Sequence, residues 1–181
     1  MKPFTLVQQE IEAGIQVYQA KPEDADAVMA LLLKTARWFK SKGSSQWSAL
    51  LDGEDSHNTR EVIKHGNVFV FKEGEKIAAM VILLTDASPW DIDLWGEEDQ
   101  EGSFYVHRLA IDRDYAGRGL GRAVLEWIEH GIAIEGKPQI RLDCIGTNDT
   151  LYQFYSNAGY THKGLVKGFH LFEKRSAAYR S

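Results

Sequence analysis

The residues Asp112-Arg113-Asp114-Tyr115-Ala116-Gly117-Arg118-Gly119-Leu120-Gly121-Arg122 put three glycines within five positions, between an apolar run and an amphipathic one. Without Cβ atoms in the way, successive backbone N–H groups can converge on an anion, and a helix N-terminus behind them adds a positive dipole end. Arg118 and Arg122 supply full charges, so the loop suits a pyrophosphate. A Walker A loop needs Lys and Ser/Thr after its last glycine, where this chain has Arg122-Ala123, and a dinucleotide fingerprint needs glycine at 122. A simple helix cap needs one glycine, which makes a mere turn the weaker reading of this segment. Five residues before the loop stands His107, whose ordinary pKa near 6.5 suits proton abstraction at neutral pH. A hydrogen-bonded structural histidine is the competing reading. Cys144 sits in an apolar run with no histidine near it in sequence and reads as a small buried hydrophobe, not a nucleophile.

The elements that must hold these residues follow from periodicity. Residues 15–19 read as a strand. Residues 21–24 form a helix start with an early proline and two carboxylates, and Val28, Leu31, Leu32, Thr35 and Phe39 then fall on one helical stripe that Gly43 ends. Residues 44–53 are loop or irregular helix, and 56–65 a second, weaker helix. A hairpin joins 67–72 to 77–84 across Glu73-Gly74-Glu75. Residues 86–101 hold seven carboxylates, two tryptophans and a proline with no Lys or Arg, and read as a surface insertion. A strand at 104–111 precedes the glycine loop, and on it His107 shares a face with Leu109 and Ile111. A helix at 121–135 carries Val124, Leu125, Ile128 and Ile132. A strand at 139–144, a short helix at 149–156 and closing strands at 160–166 and 169–174 complete an α/β layer structure with a mixed sheet.

The 181 residues suit one domain, 1–181, without repeat or linker. With 44% apolar residues the chain is not disordered, and its longest apolar run, residues 77–84, is too short to cross a bilayer. No leader-like apolar stretch follows the first residues and Cys144 is the sole cysteine, so a cytoplasmic protein is expected, with no membrane partner. A net charge of −5 argues against nucleic acid, whose phosphates call for a basic face.

Residues 116–121 resemble the acetyl-CoA loop of the GCN5-related N-acetyltransferase (GNAT) superfamily, Arg/Gln-x-x-Gly-x-Gly/Ala. Gly119 and Gly121 match, while Ala116 stands where the family usually has Arg or Gln. Leu109-Ala110-Ile111 looks like the strand that pairs with pantetheine. Asn148, Leu151, Phe154, Tyr155, Gly159 and Tyr160 match the second family pattern, an asparagine, a helix bearing a tyrosine, and Gly-aromatic. The specific resemblance covers about 103–160. It implies a GNAT-like fold, with a mixed central sheet flanked by helices and acetyl-CoA in a splay between two central strands. It also implies an acetyl-CoA-dependent N-acetyltransferase acting by direct transfer, without a metal. The CoA contacts it implies are Leu109, Ala110, Ile111, Gly117, Arg118, Gly119, Leu120, Gly121, Arg122 and Asn148. Tyr155 falls at the position of the acid that protonates the CoA sulfur, with a core aromatic as its alternative. Asn148 also suits a helix cap. Strand 103–111 lacks the carboxylate base of many family members, which leaves His107, with Tyr105 and Glu101 behind it, or a water relay.

The acceptor side of such a fold draws on the first two helices and the segment before the CoA strand. Here Trp38, Trp47, Trp90, Asp91 and Asp93 are the candidate acceptor contacts, and aromatics beside carboxylates suit an ammonium group. A small amine is the expected partner: a polyamine, an aminosugar or an amino-acid derivative. A solvated acidic face is the plain alternative. Homodimers are common in the resembled family, and a homodimer is expected here by analogy alone. Two other functions remain open: transfer of a longer acyl group or to a hydroxyl, and a silent acyl-CoA-binding module with a protein partner.

Overall fold

The computed structural model describes residues 3–180. The chain begins with strands β1 (Phe4–Leu6), β2 (Glu10–Glu12) and β3 (Ile15–Gln19). A 3-10 turn at Pro22–Asp24 then leads into α1 (Ala25–Ser41), α2 (Ser48–Leu51) and α3 (Thr59–Lys64). Next come β4 (Val68–Glu73), β5 (Lys76–Leu84), α4 (Pro89–Trp95), β6 (Ser103–Ile111), a 3-10 turn at Arg113–Tyr115 and α5 (Leu120–His130). The last elements are β7 (Ile132–Ile134), β8 (Gln139–Ile145), α6 (Asp149–Asn157), β9 (Thr161–Val166) and β10 (Phe169–Arg175).

The chain packs as two compact units. In the one made of residues 9–82 and 108–123, β2, β3, β4 and β5 form an antiparallel meander. Helix α1 buries Val28, Leu31, Leu32, Thr35 and Ala36, a stripe set by the three- and four-residue spacing. Each fully buried Leu or Val there contributes roughly 1.5–3 kcal/mol from apolar burial. The strands β4 and β5 are buried on both faces, Val68 to Phe71 and Ala78 to Leu83, which explains runs without alternation.

In the other unit, β6 runs parallel to β8, which pairs antiparallel with β10, and β10 with β9. Trp127, Ile128, Phe104, Ile140 and Phe172 lie at its core. Because β5 and β6 each run through both units, the strand order reads β2-β3-β4-β5-β6-β8-β10-β9, a mixed sheet of eight strands. The α/β fold and mixed sheet are those the sequence predicts.

Two segments depart from expectation. The helix predicted to reach residue 135 stops at His130, and Ile132–Ile134 is a strand paired with Phe4–Leu6. Gly131 makes the break: a Cβ there would stand 2.2 Å from the Trp127 ring, and its carbonyl accepts from the N–H groups of Val7 and Gln8. Ile132 fits the helical stripe and the strand alternation equally, so periodicity does not separate the two. The acidic stretch 86–101 is not all surface insertion. Ser88 and Pro89 start α4 with a capping box, which turns Asp91 and Leu94 inward on one helix face.

Candidate functional site

The glycine loop is pinned at its start by charge. Asp112 accepts from the Lys34 ammonium at 2.8 Å and from the Asp114 N–H at 2.9 Å, while its own N–H donates to the Ala78 carbonyl. Gly117 and Gly119 have φ of +77° and +71°, a left-handed backbone that favours glycine. Residues 116–119 are exposed and Leu120 is buried, which anchors the start of α5. The first bond across the loop–helix junction runs from the Ala123 N–H to the Gly119 carbonyl, so the amides of 120–122 precede any acceptor inside the helix. Backbone of this kind, leading into a helix N-terminus, is able to hold an anion. Arg118 does not reach outward unopposed: its guanidinium lies 4.9 Å from the Tyr115 ring centroid and 3.9 Å from Glu73.

In the other unit the parallel register of β6 and β8 runs through Ser103↔Gln139, Phe104↔Ile140 and Tyr105↔Arg141. Beyond it β6 continues to Ile111 and β8 to Ile145 without further pairing to each other among the described residues. A parting of neighbouring strands of this kind frees backbone donors that a sheet would otherwise consume.

His107 lies two residues past the last register pair, buried, with Nε2 3.0 Å from each carboxylate oxygen of Asp91. Asp91 is itself 1% exposed and is fixed by α4, where one of its oxygens accepts from the Ser88 N–H at 3.0 Å and the Ser88 hydroxyl at 2.8 Å. Burial alone would raise the Asp91 carboxyl. The hydrogen bonds from His107 and Ser88 and the nearby imidazole charge bring it below the ordinary range instead. An ionised carboxylate only accepts, so Nε2 is the donor in this contact.

Asp143 completes this cluster from β8. One ligand-type atom each of Asp91, His107 and Asp143 lies within 4.8 Å of the others. Its carboxyl is pushed up by burial and by the Asp91 charge, against the pull of His107 and of the Trp90 indole N–H, 3.3 Å away. These three residues are the described donors that could hold a cation, and hydrogen bonds already engage the Asp91–His107 pair.

Tyr155 on α6 is buried against Phe172, Phe154 and Tyr160. Burial, with Cys144 and Asp143 nearby, raises its phenol so that it stays protonated throughout the neutral range. Burial and Asp143 push the Cys144 thiol up to about 12, which suits a packing residue and not a nucleophile. Asn148 caps α6, its side-chain oxygen accepting from the Leu151 N–H at 3.0 Å.

The candidate acceptor residues are divided between the two units. Trp90 and Asp91 accompany His107 in one unit, Trp90 exposed and set edge-on against Phe169. Asp93, on the same helix, is exposed and paired with Lys167. Trp38 and Trp47 belong to the other unit, where Trp38 stacks under Arg113 at 3.9 Å and Trp47 lies 5.3 Å from the Arg108 guanidinium.

The Acetyltransferase (GNAT) family model matches residues 31–160. This chain belongs to the GNAT family. It is 45% identical over 179 residues, 98% of this chain and 99% of the relative, to the N-acetyltransferase YesJ of Bacillus subtilis (strain 168). A GNAT acetyltransferase structure from Listeria monocytogenes 4b F2365 is 36% identical, with a TM-score of 0.74 over 89% of this chain and 94% of that one. The fold is shared with the PaiA N-acetyltransferase of Thermoplasma acidophilum, solved in complex with coenzyme A. That pair is 14% identical, with a TM-score of 0.66 over 89% of this chain and 98% of the other.

Sequence reasoning names His107 and Asp91 but not their pairing. The signal is present: Ser88-Pro89 followed at residue 91 by an acid is a helix start with its third residue facing back, which takes Asp91 out of the solvated acidic stretch. Arg108 escapes notice altogether, since nothing in sequence marks a strand arginine as buried.

Proposed function

We propose that this acetyltransferase domain, spanning 1–181, moves the acetyl group of acetyl-CoA directly to the primary amine of a small molecule. The observation that carries the reading is the open, left-handed glycine loop at 117–119 leading into α5 in a chain of this family. In this reading the amides of Gly117, Arg118, Gly119, Leu120, Gly121 and Arg122 hold the CoA pyrophosphate. Leu109, Ala110 and Ile111 line the pantetheine arm, and Asn148 contacts CoA while its oxygen caps α6.

His107 takes the proton from the incoming ammonium, with Asp91 accepting from the ring and stabilising the imidazolium that results. The amine nitrogen attacks the thioester carbonyl and backbone N–H groups of β6 take the charge that develops on oxygen. Collapse breaks the C–S bond and Tyr155 gives its proton to the departing CoA thiolate; the acetylated nitrogen sheds its second proton, which restores the Tyr155 phenol, and the proton held by His107 passes to solvent. No metal takes part in these steps. That PaiA was solved with coenzyme A supports the choice of cofactor. No described helix is long and apolar enough to cross a membrane, and the buried, protonated Cys144 suits a cytoplasmic setting.

The test is release of free CoA thiol from acetyl-CoA, screened over polyamines, aminosugars and amino acids. Amine-dependent release is expected. Tight CoA binding with no release against any amine would favour a silent binding module, and release with hydroxyl acceptors alone would replace the amine.

A further inference from the structure

Arg108 is the residue after His107 in the chain, and its backbone is left-handed, with φ of +55°. Non-glycine residues rarely adopt that conformation inside a strand. Its side chain turns into the unit that holds α2 and α3 and is 6% exposed. There Nη2 reaches the Ser56 hydroxyl at 3.5 Å and Asp55 at 3.7 Å, and the guanidinium faces the Trp47 ring at 5.3 Å. Nε and Nη1 have no hydrogen-bond partner, though both are buried. A guanidinium cannot shed its charge near neutral pH, and buried donors left unmade are costly enough that native proteins rarely keep them.

Asp55 does not answer this charge fully. Its oxygens accept from the Thr59 N–H at 2.7 Å and the His57 N–H at 3.2 Å. Burial would raise its carboxyl, but these bonds and the Arg108 charge hold it below the ordinary range, so it stays ionised. Asp55 approaches only Nη2, so Nε and Nη1 remain as donors for an acceptor oxygen, and a carboxylate supplies one in a charge-assisted bond. Beside Trp47 in sequence, Gln46 holds a buried side-chain oxygen that also lacks a donor. The unmet donors on Arg108 match a ligand carrying a carboxylate.

We propose that Arg108, with Trp47, Asp55 and Ser56, is a carboxylate-recognition subsite for the acceptor, so that the acetylated amine is an amino acid or an amino-acid-derived amine. This rests on the N-acetyltransferase reading above and names its substrate class. Of the acceptors considered from sequence, it selects the amino-acid derivative over the polyamine and the aminosugar. It also assigns recognition to a cation in the protein, where the acidic stretch had suggested recognition of an ammonium.

The experiment compares amino acids with their decarboxylated partners, such as lysine with 1,5-diaminopentane and tyrosine with tyramine, across the proteinogenic set. Binding to the CoA-saturated protein is followed by calorimetry and by tryptophan fluorescence. At least one amino acid is expected to bind about ten-fold or more tightly than its partner amine, the scale of a hydrogen bond to a charged group. Arg108→Gln should erase the preference and Arg108→Lys should keep part of it, each checked for folding by circular dichroism and by retained acetyl-CoA binding. If Arg108→Gln does not fold, the comparison rests on the wild-type pairs and Arg108→Lys. Equal or tighter binding by every decarboxylated partner, binding by no member of the set, or a preference that survives Arg108→Gln overturns the proposal. Failure of the acetyltransferase reading looks different: the carboxylate preference persists while no amine releases CoA thiol.

Discussion

The imidazole Nε2 of His107 lies 3.0 Å from the carboxylate of Asp91, a residue 1% exposed on a separate element, so a strand histidine and a helix acid meet in the core. The strand β6 supplies the histidine, and a seven-residue helix supplies the acid through a Ser88 cap. In the proposed mechanism Asp91 acts through His107 as a positioning residue.

His107→Ala should lower kcat by roughly 10²–10⁴-fold if the imidazole is the base. Asp91→Ala should lower it by less, and the double variant should be no slower than His107→Ala alone, because Asp91 works only through the imidazole. Steady-state kinetics of the three variants, at matched circular dichroism spectra, checks this. Additive losses would show that Asp91 acts elsewhere.

Tyr155→Phe removes the proposed proton donor while keeping the ring that packs on Phe172 and Phe154. The expected result is a fall in kcat with the acetyl-CoA dissociation constant unchanged, read by thiol release and calorimetry. Equal losses in both would assign Tyr155 to packing or to CoA contact.

Asp143 carries a raised carboxyl, chiefly through burial. A folded-state pKa above the unfolded one means the folded chain binds more protons between the two values, so stability falls as pH rises through that window. Asp143→Asn, whose side-chain oxygen can still accept from Trp90, should raise Tm at pH 7 by about 2–4 °C, the response of a chain this size to roughly 1 kcal/mol. The gain should vanish below about pH 3.5, under the ordinary aspartate value. Asp91 and Asp55 have the opposite sign. Their lowered carboxyls stabilise the fold fully above the ordinary aspartate value, and that stabilisation is lost as pH falls through their folded values. Thermal melts from pH 3 to pH 8 read both trends.

Gly119→Val meets no neighbour within 4 Å, so its cost to the fold is the left-handed φ alone. Gly53→Val, equally open with φ of +83° and far from the loop in sequence, is the control. Both should lose similar stability, roughly 1–2 kcal/mol, and only Gly119→Val should weaken acetyl-CoA binding. Unchanged affinity in Gly119→Val would remove the pyrophosphate from this loop.

The periodic parts of the chain are legible in its sequence. The α1 stripe, the β4–β5 hairpin and the strand–loop–helix around Gly119 all follow from spacing and glycine placement. What is not legible depends on tertiary partners. Ile132 satisfies both a helix and a strand pattern, and the choice is made by the Gly131 carbonyl, which accepts from Val7 and Gln8. Asp91 and Asp93 look alike in an acidic stretch, yet the helix phase sends one to His107 and the other to solvent and Lys167. Nothing in the sequence marks Arg108, yet its strand buries it beside Trp47.

The most direct test of the central claim is calorimetric titration of the purified protein with acetyl-CoA, free CoA and ATP, followed in the same sample by thiol release on adding amines. Saturable binding of acetyl-CoA and CoA but not ATP, with release that depends on the amine, is the predicted result. No heat of binding with either CoA species would contradict the account at its root.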